Sequence, residues 1–171
     1  ITQPASALVA FATAGNICCN EDNTTLAVTG NCGTAPYTGT GNFTVSAGTY
    51  TYIVTDANGT TQTTSVTVNE PTAVDVNITA DDIIVFGGTT TITVVSTGGT
   101  GAHTYRLNSG IYQSSNLFNN VTAGTHTIRV KDANACIEVR SVSITQPASA
   151  LVAFATAGNI SCNGGNTTVA V

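Results

Sequence analysis

Short runs of alternating apolar and polar residues, punctuated by glycine and asparagine, set the pattern of this chain. In the second half, VDVNITA (74–80), TTITVVST (90–97), HTYRLN (103–108), GIYQSS (110–115), LFNNV (117–121), THTIRVKD (125–132) and CIEVRSVSIT (136–145) alternate or are rich in β-branched and aromatic residues. Period two puts successive side chains on opposite faces of a strand, and the GG, NSG, AG and DANA segments between the runs supply turn chemistry. Seven short strands within residues 71–146 predict an all-β, immunoglobulin-like sandwich. In the last hairpin, pairing Arg129 with Glu138 across DANA sets Val130 beside Ile137 and Ile128 beside Val139. One face of that hairpin is then apolar and the other carries an ion pair.

The pattern repeats on two scales. Ile1 to Val28 matches Ile144 to Val171 at 24 of 28 positions, a displacement of 143 residues. Within that unit, VSAGTYTYIVTDANGTTQTTSVTVNEP (45–71) aligns without a gap to VTAGTHTIRVKDANACIEVRSVSITQP (121–147). The joints fall at Pro4, Pro71 and Pro147, where proline stiffens the link and cannot donate to a ladder. This divides the chain into a module A (residues 1–70), a module B (71–146) and the start of a second A (147–171), a linear array that the sequence enters in mid-pattern. Module A is shorter in its middle, PYTGTGNFTV standing for HTYRLNSGIYQSSNLFNNV, so one strand is expected to be missing there. Modules this small bury little core, and stacking and cross-linking should add to their stability.

Composition narrows the function. The chain is 42% hydrophobic and only 8% charged, which marks a folding rather than a disordered sequence. A net charge of −5 with four cations, Arg106, Arg129, Lys131 and Arg140, leaves no footprint for nucleic acid or an anionic membrane. No run of about 18 apolar residues predicts a membrane span. All four cations lie in B and none in A, which has four acids, so A-to-B contacts between copies of the chain have an electrostatic rationale. Sparse charge, abundant threonine and five cysteines fit an extracellular or cell-surface location.

Catalytic and metal chemistry find little support. His103 and His126 have no Cys, Asp or Glu at metal-ligand spacing and read as half-exposed strand residues. No nucleophile sits in a recognisable elbow or beside a candidate base, so no enzyme and no cofactor is expected. Asp75, Asp81 and Asp82 are clustered carboxylates of the kind calcium takes, but a solvated loop accounts for them. The DANG (56–59) and DANA (132–135) segments read as hairpin turns in which Asp and Asn bond back to the backbone. Seven Asn-x-Ser/Thr sequons follow from the composition. Tyr105, Tyr112 and Phe118 are the aromatics a carbohydrate site in B would use, and alternation assigns them to the core instead.

The cysteines are more informative. Cys19 follows the first strand of A and Cys136 lies in the last hairpin of B, positions that in an immunoglobulin-like sandwich face one A-to-B joint. At the B-to-A joint both are absent, since B has IIVF where A has ICCN and A has Thr60 where B has Cys136. A Cys19–Cys136 disulfide across the joint therefore pairs both, and Cys162, the copy of Cys19, is expected to bond to a following B module. Cys18 and Cys32 are left without an assigned partner. They flank an eight-residue strand about 26 Å long, too long for a direct bond. Ser161 replaces Cys18 in the second copy.

The segments GGTGAHTYRL, LFNNVTAGTHTIRVKDANAC, NISCNGGN and SITQP together resemble the SprB-type repeat of surface adhesins from gliding and related Bacteroidota. Module A departs from that pattern in its short middle and in Thr60. The resemblance implies a long, exported tandem-repeat surface protein. With the repeats and the joint disulfide it makes a non-enzymatic shaft of an adhesin or filament the leading expectation. The expected contacts are neighbouring modules and other copies of the chain. A ligand-binding module for a surface polysaccharide, or a subunit of a laterally assembled fibre or sheath, is the alternative.

Overall fold

A computed structural model describes residues 6–160 and 162–170. Among them there is no helix, and none long and apolar enough to cross a membrane. Pro4 and Ser161 lie outside the described residues. The first five strands are β1 (Val9–Ala14), β2 (Thr24–Asn31), β3 (Gly41–Val45), β4 (Gly48–Thr55) and β5 (Thr61–Val68). They form an antiparallel sheet β1-β2-β3 and a hairpin β4-β5. The next six are β6 (Asp75–Ala80), β7 (Thr90–Thr97), β8 (Thr104–Leu107), β9 (Leu117–Val121), β10 (Gly124–Lys131) and β11 (Ile137–Ile144). They form sheets β6-β7-β9 and β11-β10-β8. Two two-residue strands, β12 (Thr156–Ala157) and β13 (Val169–Ala170), pair near the end of the chain.

Each of the two larger sets of strands has its own core. Leu8, Ile17, Leu26, Val28, Val45, Val54 and Val68 form one cluster, with Tyr52 stacked on Phe43 at its side. Val76, Ile83, Ile92, Val94, Phe118, Val121, Ile128, Val130 and Ile144 form the other. Alternation explains who is inside: Ile92 and Val94 are fully buried while Val95 between successive inward positions is exposed. Phe43 faces Leu26 as Phe118 faces Ile92. The β7–β9 ladder reaches that equivalence through an irregularity, so that Phe118 and Val121 are both buried although three apart, with Asn120 at φ 59°.

Two expectations need correction. GIYQSS is not a strand; it touches the sheet through a single bridge between Tyr105 and Gln113. Serine and glycine there offer little to pack, and the Gln113 side chain instead caps the carbonyls of Ser115 and Leu117. The strand missing from the first set is the counterpart of β8, reduced to a bridge between Thr38 and Thr55. Next to it Gly39, at φ 78°, lies so close to the Ile53 carbonyl that any side chain would collide.

The last hairpin is also out of the expected register by one residue. Arg129 stands opposite Val139, Val130 opposite Glu138, and Ile128 opposite Arg140. The loop is the cause: Lys131 and Ile137 close it, and Asp132 N–H donates to the Cys136 carbonyl, so five residues rather than four make the turn. Glu138 and Arg140 thus lie on the inward-facing side of β11, where Arg140 Nε bonds Glu138 at 2.9 Å and Arg140 Nη2 reaches Asp75 on β6 at 3.8 Å. Among the described residues Arg129 forms no ion pair.

Candidate functional site

The feature that joins the two sets of strands is built from their turns. Asp132 is buried, and its carboxylate accepts the backbone N–H groups of Asn134, Cys136 and, from the loop after β7, Thr100. Gly99 lies against it at φ 62°, where a Cβ would strike both Val74 and the Asp132 carboxylate. The turn therefore presents Cys136 in a fixed position. On the other side, the loop from β1 to β2 carries Cys19, with Asp22 N–H donating to the Cys19 carbonyl and Glu21 at φ 63°.

Cys19 and Cys136 form a disulfide with Cα atoms 5.6 Å apart and 117 residues of separation. The predicted pairing is thus present. Polar contacts surround it: Asn20 Nδ2 donates to the Pro71 carbonyl, Glu21 N–H to the Glu70 carboxylate, and Asn134 Nδ2 to the Cys18 carbonyl. Cys136 Sγ lies 3.3 Å from that same carbonyl. Bonded to sulfur, it has no proton to donate, so this is a packing contact. Beside the disulfide opens a cleft of about 330 Å³ whose walls include Glu21, Pro71, Val74, Asp132 and Glu138.

The equivalent turn in the first set of strands shows what the cysteine adds. Asp56, also buried, accepts the N–H groups of Thr34, Asn58 and Thr60. Burial by itself would raise its pKa, but the hydrogen bonds from Thr60, Thr34 and Asn58 outweigh that and hold the carboxyl below its usual range. Both DANG and DANA are turn-forming devices, as their chemistry predicts, and Cys136 in place of Thr60 converts one of them into an anchor. Among the described residues Cys18 and Cys32 form no disulfide. Cys18 is exposed, whereas Cys32 is half-buried at φ 60°, its carbonyl accepting the Tyr37 hydroxyl. Cys162 lies exposed in the loop before β13.

Other candidate residues have local duties. Asp75 and Asp82 stand at opposite ends of β6, too far apart to share an ion, and Asp82 is more than a solvated loop residue because it accepts the Thr145 N–H. That bond holds its carboxyl below the usual range. Among the described residues no three His, Cys, Asp or Glu are placed to hold a metal. Ser96 Oγ does lie beside a base, 2.6 Å from His103 Nδ1, contrary to the reading of the sequence, and it also meets the Tyr105 hydroxyl at 2.9 Å. The far nitrogen of His103 faces the Gly98 carbonyl rather than a carboxylate. This pair braces the turn after β7, as His126 does between Asn108 and the Thr122 carbonyl.

The three aromatics separate. Phe118 is in the core and Tyr105 packs against it. Tyr112, expected there too, lies instead under Lys131 Nζ, 4.4 Å from its ring centroid, and the Arg106 guanidinium, 5.1 Å away. It follows GIYQSS out of the core because that segment does not join the sheet as a strand. Neither Asn20 nor Glu70 carries a local signal in the sequence, since each acts on a residue distant along the chain. No protein-family model and no curated protein matches this chain.

Proposed function

We propose that the chain is part of a non-enzymatic, extracellular tandem-repeat protein whose immunoglobulin-like sandwiches, A (1–70) and B (71–146), form the shaft of a surface adhesin or filament, with 147–171 beginning the next A. The observation that carries this reading is the Cys19–Cys136 disulfide, which ties the loop of one core's strands to the last hairpin of the other's. A covalent tie of that span has its largest consequence under tension. Two adjoining cores, each drawing on two small sheets, and the 143-residue sequence repeat support the same reading. So does the resemblance of the DANAC and SITQP segments to the SprB-type repeat. In an array, Cys162 takes the role of Cys19 toward a following B module.

Pulling a tandem of 143-residue units in a single-molecule force experiment tests the proposal. The 117-residue separation of the bonded cysteines hides about 400 Å of contour per unit, at about 3.5 Å per residue. Oxidised units should yield short extensions, and reduction should lengthen each by about that amount. Equal extensions with and without reductant would sink the shaft reading. A carbohydrate-binding role for B is the second reading, and the outward position of Tyr112 favours it.

A further inference from the structure

The outer face of the β8-β10-β11 sheet gathers three of the molecule's four cations. Arg106 on β8 stands directly opposite Arg129 on β10, and Lys131 is the next outward residue along β10. Like charges directly across a ladder repel. None of the three forms an ion pair among the described residues, where only Arg140 does. Arg106 Nε is buried without a hydrogen-bond partner. Tyr112 and the half-exposed Ile137 and Val139 share this surface. In an acidic protein, a face that concentrates cations and leaves them without counter-ions is arranged for an anion from outside.

A second copy of the chain is poorly equipped to provide that anion. Asp56 and Asp132 are buried in their turns, Asp82 and Glu70 accept backbone N–H groups, and Asp75 and Glu138 are paired with Arg140. Glu21, Asp22 and Asp81 are left, on two separate loops. A peptide strand is also disfavoured at the β8 edge, where the Tyr105–Gln113 bridge occupies the ladder position. The face is half-exposed, bears the hydroxyls of Thr127 and Ser141 among its cations, with that of Thr104 donating to the Lys131 carbonyl, and offers an aromatic and apolar floor. Those groups suit a hydroxylated, carboxylated polymer.

We infer that this face, centred on Arg106, Arg129, Lys131 and Tyr112, binds an acidic polysaccharide through its carboxylate or sulfate groups. Presented once per repeat, even a weak site acquires avidity along an array. The inference stands apart from the shaft reading, because loss of binding would leave the mechanics of the disulfide unchanged.

The test is affinity electrophoresis of the oxidised 171-residue chain through gels containing polygalacturonate, dextran or poly-glutamate. Retardation is expected in polygalacturonate, weakening as salt rises, and none in dextran. The Arg129→Glu/Lys131→Glu variant should lose about tenfold or more in affinity, whereas Arg140→Gln, whose cation is already paired, should bind as the parent does. Should the double variant fail to fold, Lys131→Gln, which removes charge without adding any, should still give a measurable loss. No retention on polygalacturonate, retention unaffected by these changes, or equal retention on poly-glutamate would each overturn the assignment.

Discussion

The same sequence occurs twice in this molecule in different company, and the two copies fold to different extents. In the first, β1 and β2 pair over six positions from Val9↔Asn31 to Ala14↔Leu26. In the second, among the described residues, the pairs are Thr156↔Ala170 and Ala157↔Val169. Displaced by 143 residues, those are the counterparts of Thr13↔Ala27 and Ala14↔Leu26, so the register is the same. The turn that sets it is the same too: a Cβ on Gly15 would strike the Thr24 hydroxyl, and one on Gly158 the Thr167 hydroxyl. The remainder of the hairpin is a matter of context. Leu8 is 6% exposed against the first core, while its twin Leu151 is 98% exposed. The local sequence encodes the closing pairs, and β3, β4 and β5 are what extend the ladder, because an isolated hairpin is at best marginal in water.

The comparison can be broken most forcefully at the disulfide. Cys19→Ser should destabilise the first copy by about 4 to 5 kcal/mol in the chain-entropy model, seen in urea melts. Amide exchange in β12 and β13 should stay where it was. Transmission of the loss to the second copy would contradict the separation of the two.

Core truncation sharpens it next. Leu26→Ala empties a fully buried site and should cost about 2 to 5 kcal/mol. Val169→Ala, at the equivalent and exposed position, should change stability by less than about 0.5 kcal/mol. Similar costs at the two positions would mean that the second copy has a core of its own.

The smallest effect is that of acid. Asp56 has a folded pKa lowered by its turn hydrogen bonds, so its contribution is fully present above the unfolded value of about 3.9 and is lost as pH falls through the folded one. Protonation releases Thr34, and the loop after β2 loosens beside Leu8, which packs near Gly33 and Asp56. Circular dichroism melts should show stability falling below about pH 4, with Asp56→Asn flattening that slope. An unchanged slope in the variant would assign the acid sensitivity elsewhere, Asp82 being the other carboxyl with a lowered pKa.

What was legible in the sequence follows the same division between local and distant causes. The strands with strong alternation, β7 and β10 above all, lie where their patterns put them, and Asp56 and Asp132 organise their turns as Asx chemistry predicts. The Cys19–Cys136 disulfide was legible because the repeats supply an internal control: IIVF stands where ICCN carries Cys19, and Thr60 stands where the later copy has Cys136, so the two cysteines are lost together. The one-residue register error arose because DANAC closes as a five-residue loop, which depends on the Asp132 side chain bonding Cys136 N–H. Tyr112 was misplaced because period two was read through GIYQSS, a segment too rich in serine and glycine to hold a place in the ladder. The Ser96–His103 contact was invisible because the turn after β7 brings together groups seven positions apart.

The length of β2 has a further consequence for how this molecule is made. A chain grows from its N-terminus, so Cys19 emerges long before Cys136, while Cys32 follows it after only 13 residues and is the first thiol it meets beyond its neighbour. Once Thr24–Asn31 is drawn into the sheet, its eight residues hold the two ends about 26 Å apart, and that premature liaison is closed off. The strand that fills the first core also acts as a spacer that keeps Cys19 in waiting for the right partner.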